Sequence, residues 1–229
     1  MKHARSMIAS ALIGIAAIGL AGCSAGLDSE TVEAEDGYII DILALDGSET
    51  LAFDPDDRLA PTEQSTIEFW VQPEWSTDPG YDPIVLSNTG DDGTSYAVAV
   101  TAERDGLVGV SGEVVEGVPF DFTDGQLHHV ALIDYGDTVS VWIDLDLVAE
   151  LPLTFENYPS NGFFVGTGSG GDDAFEGKIG GLRIWDVAVE PEVLAQYARR
   201  DALGDTPHPD LDELKLISDF SNKTIVFNE

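Results

Sequence analysis

The stretch from Gln126 to Asp144, QLHHVALIDYGDTVSVWID, reads as two strands folded back on each other. Val139, Val141 and Ile143 alternate with Ser140, Trp142 and Asp144, the period of two that buries one face of a strand. Residues 127–134 are mostly aliphatic, and Tyr135-Gly136-Asp137 between the runs carries turn chemistry. The same period spreads outward. Ile67, Phe69 and Val71 alternate with Thr66, Glu68 and Gln72, with Trp70 alone breaking the polar face, and Tyr96, Val98 and Val100 alternate with small residues. Short strands are also predicted at 38–45, 50–53, 84–87, 107–111, 147–151, 163–165 and 178–185, separated by turns such as Asp46-Gly47, Asp92-Gly93, Asp105-Gly106 and Asp124-Gly125. Many short strands at this spacing specify an all-β sandwich or barrel, and the regular helices of a parallel α/β sheet are missing. One short C-terminal helix is expected after Glu190-Pro191-Glu192, with Val193, Leu194 and Tyr197 as its apolar stripe and Arg199-Arg200 at its end. Residues 205–229 are acidic at first and then apolar; a final strand pair and a loosely packed tail both fit.

Three stretches together resemble the laminin-G-like domains of the concanavalin A-like jelly-roll superfamily. The first runs from Leu45-Asp46-Gly47 through Leu51-Ala52-Phe53 to Ser65-Thr66-Ile67-Glu68-Phe69-Trp70-Val71; the second is the Gln126–Asp144 hairpin; the third is Phe175-Glu176-Gly177-Lys178-Ile179-Gly180-Gly181-Leu182-Arg183-Ile184-Trp185 with the helix after it. The resemblance spans residues 37–200 and implies a two-sheet antiparallel jelly-roll sandwich. Three departures stand out. Leu127 replaces a tryptophan usual in the family, Leu145 replaces the glycine after Asp144, and Gly180-Gly181 replace an Asp-Glu pair whose aspartate often helps hold calcium there.

The N-terminus has its own organisation. Lys2, His3 and Arg5 precede an uncharged apolar or small run over 7–22, too short for a membrane span but suited to the helix of a secretory signal peptide. The run ends Leu20-Ala21-Gly22-Cys23, which resembles the lipobox of lipoproteins: an aliphatic residue, two small residues, then the lone cysteine of the chain. Cys23 is therefore the expected lipid-attachment site, with residues 1–22 removed and 23–36 (SAGLDSETVEAED after the cysteine) an acidic flexible tether. Residues 201–229 read as a C-terminal extension. The expected location is the cell envelope, lipid-anchored and facing the periplasm or the exterior.

The charge excludes one class of partner. The 229 residues carry 43 acidic side chains against 10 basic ones, a net charge of −33. Phosphates are repelled, so no nucleic-acid partner is expected, and attachment to an anionic membrane must come from the lipid and not from the protein's charge. The acids are spread along the chain. A saline habitat, where the screening length falls to about 3 Å near 1 M salt, and an ordinary acidic secreted protein both fit that distribution.

Candidate site residues follow from these patterns. Trp70, Trp75 and Trp142 could stack on a sugar ring: Trp70 and Trp142 lie opposite the aliphatic stripe, and Trp75 falls in a Pro-rich loop. The acidic turns offer hard oxygens for calcium, the one cofactor considered, through Asp46, Asp91, Asp92, Asp172 and Asp173. His128 and His129 are neighbours on a strand, point to opposite faces and cannot form a dyad; one is expected at the sheet edge and one on a loop carbonyl. No Ser, Cys or Asp motif completes a catalytic triad, and Asp144-Leu145-Asp146 with Glu150 departs from the carboxylate spacing of the glycosidases that share the superfamily. The sequence thus predicts a membrane-anchored surface lipoprotein binding a polysaccharide or an envelope protein without catalysis. A hydrolase or lyase of the same superfamily and a structural envelope component stand as alternatives.

Overall fold

The computed structural model describes residues 16–18, 28–33, 39–48, 50–90, 93–204 and 206–228. In chain order these form β1 (Ala16–Ile18), β2 (Asp28–Glu33), β3 (Ile39–Asp46), β4 (Leu51–Phe53), β5 (Ser65–Pro73), β6 (Ile84–Gly90), β7 (Gly93–Val100), β8 (Gly106–Ser111), β9 (Val114–Pro119), β10 (His128–Asp134), β11 (Val139–Ile143), β12 (Asp146–Leu151), β13 (Ser160–Val165), β14 (Glu176–Trp185), α1 (Pro191–Tyr197), β15 (Leu214–Asp219) and β16 (Thr224–Phe227). Two antiparallel sheets stack face to face. One has β14, β5, β10, β11 and β12 side by side; the other runs β4-β13-β6-β7-β8-β9. The predicted jelly-roll sandwich and its short C-terminal helix are present.

The aliphatic stripes read from the sequence meet between the sheets. Ile67, Phe69 and Val71 of β5, Val130 and Leu132 of β10, and Val139, Val141 and Ile143 of β11 pack with Val98, Val100, Leu107 and Phe163 of the other sheet. Burying each such side chain stabilises the fold by about 1.5–3 kcal/mol.

β14 is the longest strand and organises the larger sheet. β5 flanks it on one side; β3 flanks the first half of its other side and β15 the second half. The change of neighbour falls at Gly180-Gly181, where the register with β5 shifts and Gly181 adopts φ +53°. This is a β-bulge.

Three expectations change and one open reading is decided. Residues 28–33 of the expected flexible tether form β2, paired with β3 from Asp28↔Ala44 to Glu33↔Ile39. The physical reason is the outer edge of β3, whose N–H and C=O groups need partners; Lys178 adds an ion pair to Glu30. Within the expected C-terminal extension, β15 and β16 form the final strand pair, the first of the two readings left open above, and extend the larger sheet, since β15 pairs with β14 and β16 with β15. Within the expected signal helix, Ala16–Ile18 instead add a strand to the open edge of β16, where an apolar segment can satisfy its backbone groups. An unexpected strand, β9, closes the smaller sheet; its exposed Val114 and Val115 hide the alternation that would have marked it. Among the described residues no helix is long and apolar enough to cross a membrane.

Candidate functional site

On the outer face of the larger sheet, the chain after β14 crosses β5. Thr66 fastens this strap: its hydroxyl donates to the Val187 carbonyl at 2.8 Å and accepts the Val189 N–H at 2.9 Å. Beneath the strap lies a buried polar cluster. Glu68 is 3% exposed. It accepts hydrogen bonds from Trp185 Nε1 and His129 Nε2, both at 3.0 Å, and from the Arg183 guanidinium at 3.3 Å. Arg183 also donates to the carbonyls of Tyr197 and Arg200 at and just beyond the end of α1, where a cation is favoured by the helix dipole. Burial opposes the charge on Glu68, but Arg183 and the His129 and Trp185 hydrogen bonds hold its carboxyl down to about 2. This cluster is closed to a ligand and ties the strap to the sheet.

The predicted aromatic contacts are mostly core. Trp75 is 5% exposed, donates to the Ala102 carbonyl at 2.8 Å and packs edge-on against Phe175. It leaves the surface because its Pro-rich loop folds back over the sandwich end. Trp70 is 6% exposed, between His129 and the Arg199 guanidinium. Trp142 is half-buried against the apolar group that Ala131, Ile133, Trp185 and Leu194 form under the strap, and donates to Ser140 Oγ. None of the three stands free as a sugar platform.

The predicted calcium ligands do not converge among the described residues, which hold no group of three His, Cys, Asp or Glu able to bind a metal. Asp46 is satisfied by the backbone and hydroxyl of Ser48, which hold its carboxyl below the usual range. Asp172 and Asp173 are exposed and build their own turn, the Asp173 carbonyl accepting from Ile84 N. Asp91, Asp92 and Cys23 lie outside the described residues.

The two histidines do point to opposite faces, but both bind carboxylates and not loop carbonyls. His128 Nδ1 lies 2.7 Å from Asp144 Oδ2, and Nε2 lies 3.0 Å from Asp124 Oδ1, with Phe120 and Phe122 edge-on to the ring. Asp144 also accepts the His129 N–H, so the carboxylate nearest to a glycosidase pattern is occupied within its own turn. The hydrogen bond to Asp144 leads in raising the His128 pKa above its ordinary 6.5, against burial. Burial would raise Asp144, but the His128 hydrogen bond keeps it low. A raised histidine stabilises the fold fully below about pH 6.5, and that stabilisation is lost as pH rises through the raised value; a lowered aspartate contributes above about pH 4 and is lost on acidification. His128→Gln should therefore cost about 1.5–3 kcal/mol near pH 5.5 and clearly less above pH 8. Thermal melts of both proteins across pH 4–9 measure this difference. Comparing the two cancels buried His208, whose pKa is lowered by burial and whose contribution has the opposite sign.

An open cavity of about 420 Å³ lies where the start of β5 meets the end of β10. Thr62, Glu63 and Gln64 form one wall, the Asp134-Tyr135-Gly136 turn another, and Thr154 to Asn157 the third. Asp134 holds the walls together. It is 1% exposed and accepts the Gly136 N–H at 2.8 Å and the Phe155 N–H at 2.6 Å; burial raises its pKa despite those bonds. Phe155 packs on Tyr96 beneath. Tyr135 is 38% exposed, an aromatic face beside two amides, two threonines and the carboxylates of Glu63 and Glu156. No cationic side chain lines the cavity. Its volume is that of a small-ligand site. The sequence marked Tyr135 only as turn chemistry. An aromatic residue at a hairpin tip was the available signal for this site.

Comparisons with known proteins bear on the fold. Residues 45–195 match the laminin-G type 3 family, described as the concanavalin A-like lectin/glucanases superfamily. No curated protein matches the sequence. Among solved structures, domain 4 of a GH43 extracellular arabinanase from Geobacillus stearothermophilus, in complex with arabinotriose, is similar at TM-score 0.57 and 17% identity, over 80% of this chain and 86% of that one. The ligand-binding domain of botulinum neurotoxin serotype D in complex with N-acetylneuraminic acid gives 0.54 and 11%, over 75% of this chain and 46% of that one. The serotype G binding domain gives 0.55 and 11%, over 82% and 46%. The chain thus spans about half the length of the two neurotoxin structures. With the family match covering more than half of its residues, the chain belongs to the concanavalin A-like lectin/glucanases superfamily.

Proposed function

We propose that this chain is a lipid-anchored surface protein whose sandwich binds an uncharged polysaccharide at the Tyr135 cavity, without catalysis. The cavity carries the reading: an exposed aromatic face beside amides, hydroxyls and carboxylates matches a ring with apolar C–H faces and equatorial hydroxyls. Glu63 and Glu156 accept hydrogen bonds only, so they suit hydroxyl donors. Anionic sugars meet carboxylates, no cation in the lining, and a net charge of −33. Domain 4 of the arabinanase, which holds arabinotriose, makes arabinan the first ligand to try. Titration calorimetry with arabinan, neutral glucan and uronic-acid oligosaccharides, with calcium or chelator, tests the reading. Binding of a neutral oligosaccharide that weakens at least tenfold in Tyr135→Ala supports it; exclusive binding of uronic acids sinks it.

A second reading has one observation behind it. Glu63, Glu156 and Asp134 line one cavity, and glycoside hydrolysis uses paired carboxylates. Binding is favoured because Asp134 is committed to two backbone N–H groups. Release of reducing ends from a bound polysaccharide, abolished by Glu63→Gln or Glu156→Gln, would establish the hydrolase.

Anchoring rests on Leu20-Ala21-Gly22-Cys23. Cleavage before Cys23 removes β1 with the leader, and two or three acyl chains hold firmly where one does not. The protein should partition with membranes, and Cys23→Ser should release it to the soluble fraction or leave it unprocessed.

A further inference from the structure

We infer that the Tyr135 cavity faces away from the membrane, because the chain enters the sandwich at the opposite rim on a short lead. This rests on the anchoring at Cys23, and deepens the binding reading by placing the partner on the outward side. The register of the larger sheet carries the argument. Asp28, the first residue of β2, sits beside Ala44 of β3; Ala44 sits beside Lys178 of β14, and Lys178 beside Gln72 near the end of β5. At the start of β5, Ser65 faces Asp134, which holds the cavity walls. Seven positions separate Gln72 from Ser65, about 24 Å at about 3.4 Å per residue. β2 runs antiparallel to β3, so Asp28 is the end of β2 that lies toward the Asp46 rim and away from the cavity.

The lead is also short. Cys23 precedes Asp28 by five residues, and five residues reach at most about 18 Å. A tether running free to residue 36 would reach about 47 Å and let the domain turn either end to the bilayer. With β2 docked, the Asp46 rim stays near the anchor. That rim carries Asp46 and Glu176 as strand partners and, at the neighbouring strand ends, Asp124 and Asp144. With the Asp46 rim held near the anchor, the cavity at the other end of the sheet is held out toward a glycan beyond the membrane.

The test couples the mature chain, residues 23–229, through Cys23 to a maleimide lipid in neutral phosphatidylcholine nanodiscs doped with a gadolinium-chelating lipid. This chain keeps both sheets and loses only the three-residue edge strand β1. Amide signals of Gly47 and Ser48 should broaden severalfold more than those of Gly136 and Asp137. Coupling through Cys23→Ser/Asp137→Cys should reverse the order. Equal broadening, or the reverse order with Cys23 coupling, overturns the inference. Hydrogen exchange on the full-length chain is an independent measurement: the alternate amides of residues 29–33 that bond to β3 should be protected at least a hundredfold, and exchange of all five at the free-chain rate overturns the inference. Chemical coupling makes both outcomes independent of native lipidation and of sugar binding, which fractionation and calorimetry decide separately.

Discussion

Glu68→Gln is expected to cost about 3–5 kcal/mol of folding stability, the cost of leaving a buried charge without its partner. The glutamine keeps the volume, so no cavity forms. It removes the negative charge that faces Arg183, itself 1% exposed, and replaces an acceptor oxygen with a donor opposite Trp185 Nε1 or His129 Nε2. For a domain of this size the loss lowers the melting temperature by roughly 10 °C. Arg183→Met should cost a similar amount, because it leaves the Glu68 carboxylate buried and removes a donor from each of the Tyr197 and Arg200 carbonyls. The double variant should cost less than the sum by about 2 kcal/mol, since neither charge is stranded. It should remain below wild type, because either Trp185 or His129 still lacks an acceptor and the Arg183 bonds to the Tyr197 and Arg200 carbonyls are gone. A cycle measured by urea unfolding decides this, and strict additivity would show the pair uncoupled. The acid side supplies an independent check. The Glu68 carboxyl is held down to about 2, below its ordinary 4.5, so its stabilisation is present above about pH 4.5 and is lost as pH falls toward 2. Glu68→Gln removes that portion of the acid sensitivity.

This cluster also shows where sequence reasoning loses sight of the molecule. The alternation Ile67/Glu68/Phe69 placed Glu68 on the face away from the core, correctly, because period two is a local property of the strand. That this face is buried depends on the chain returning over it some 120 residues later, as Thr66 with Val187 and Val189 makes plain. Local pattern carries no record of such coverage. Trp70 and Trp75 were misread for the same reason. Their sequence environment suggested exposure, whereas Arg199 and Phe175 cover them from distant parts of the chain. The hairpin 126–144 was legible because its strands, turn and partners are all local. The Tyr135 cavity was not, since its three walls come from separate stretches joined through Asp134. The docking of residues 28–33 is a similar case: their acidic composition reads as solvated, and only the open edge of β3 with Lys178 nearby gives them a place.

Gly180→Asp, which restores the residue the wider family resemblance leads one to expect, should destabilise the fold by about 2–4 kcal/mol or prevent folding, without creating a calcium site. A Cβ at position 180 would lie 2.5 Å from the Asp41 carbonyl oxygen, 2.5 Å from Ile42 Cδ1 and 3.1 Å from Ile40 Cγ2. A side chain such as Ile42 can rotate, but the Asp41 carbonyl is fixed in the β3–β14 ladder and can yield only by opening it. Overpacking of this kind typically costs about 1–3 kcal/mol, and more where backbone must move. Gly181 compounds the constraint. Its φ of +53° is costly for a side chain, and its Cβ would lie 2.9 Å from Trp70 Cδ1. The two glycines therefore let β14 change partner from β3 to β15 while its backbone rests on Trp70 and Ile40. A position so tightly covered has no room for a carboxylate, a cation and its water. Urea midpoints and melts with 5 mM calcium or chelator separate the outcomes. If Gly180→Asp lost less than about 1 kcal/mol and gained a calcium-dependent rise in melting temperature, the bulge would be dispensable and the site merely unfilled by sequence. The expected loss, unchanged by calcium, makes Gly180-Gly181 a structural requirement of this chain, in which β14 serves as the joint between β3 and β15 in the larger sheet.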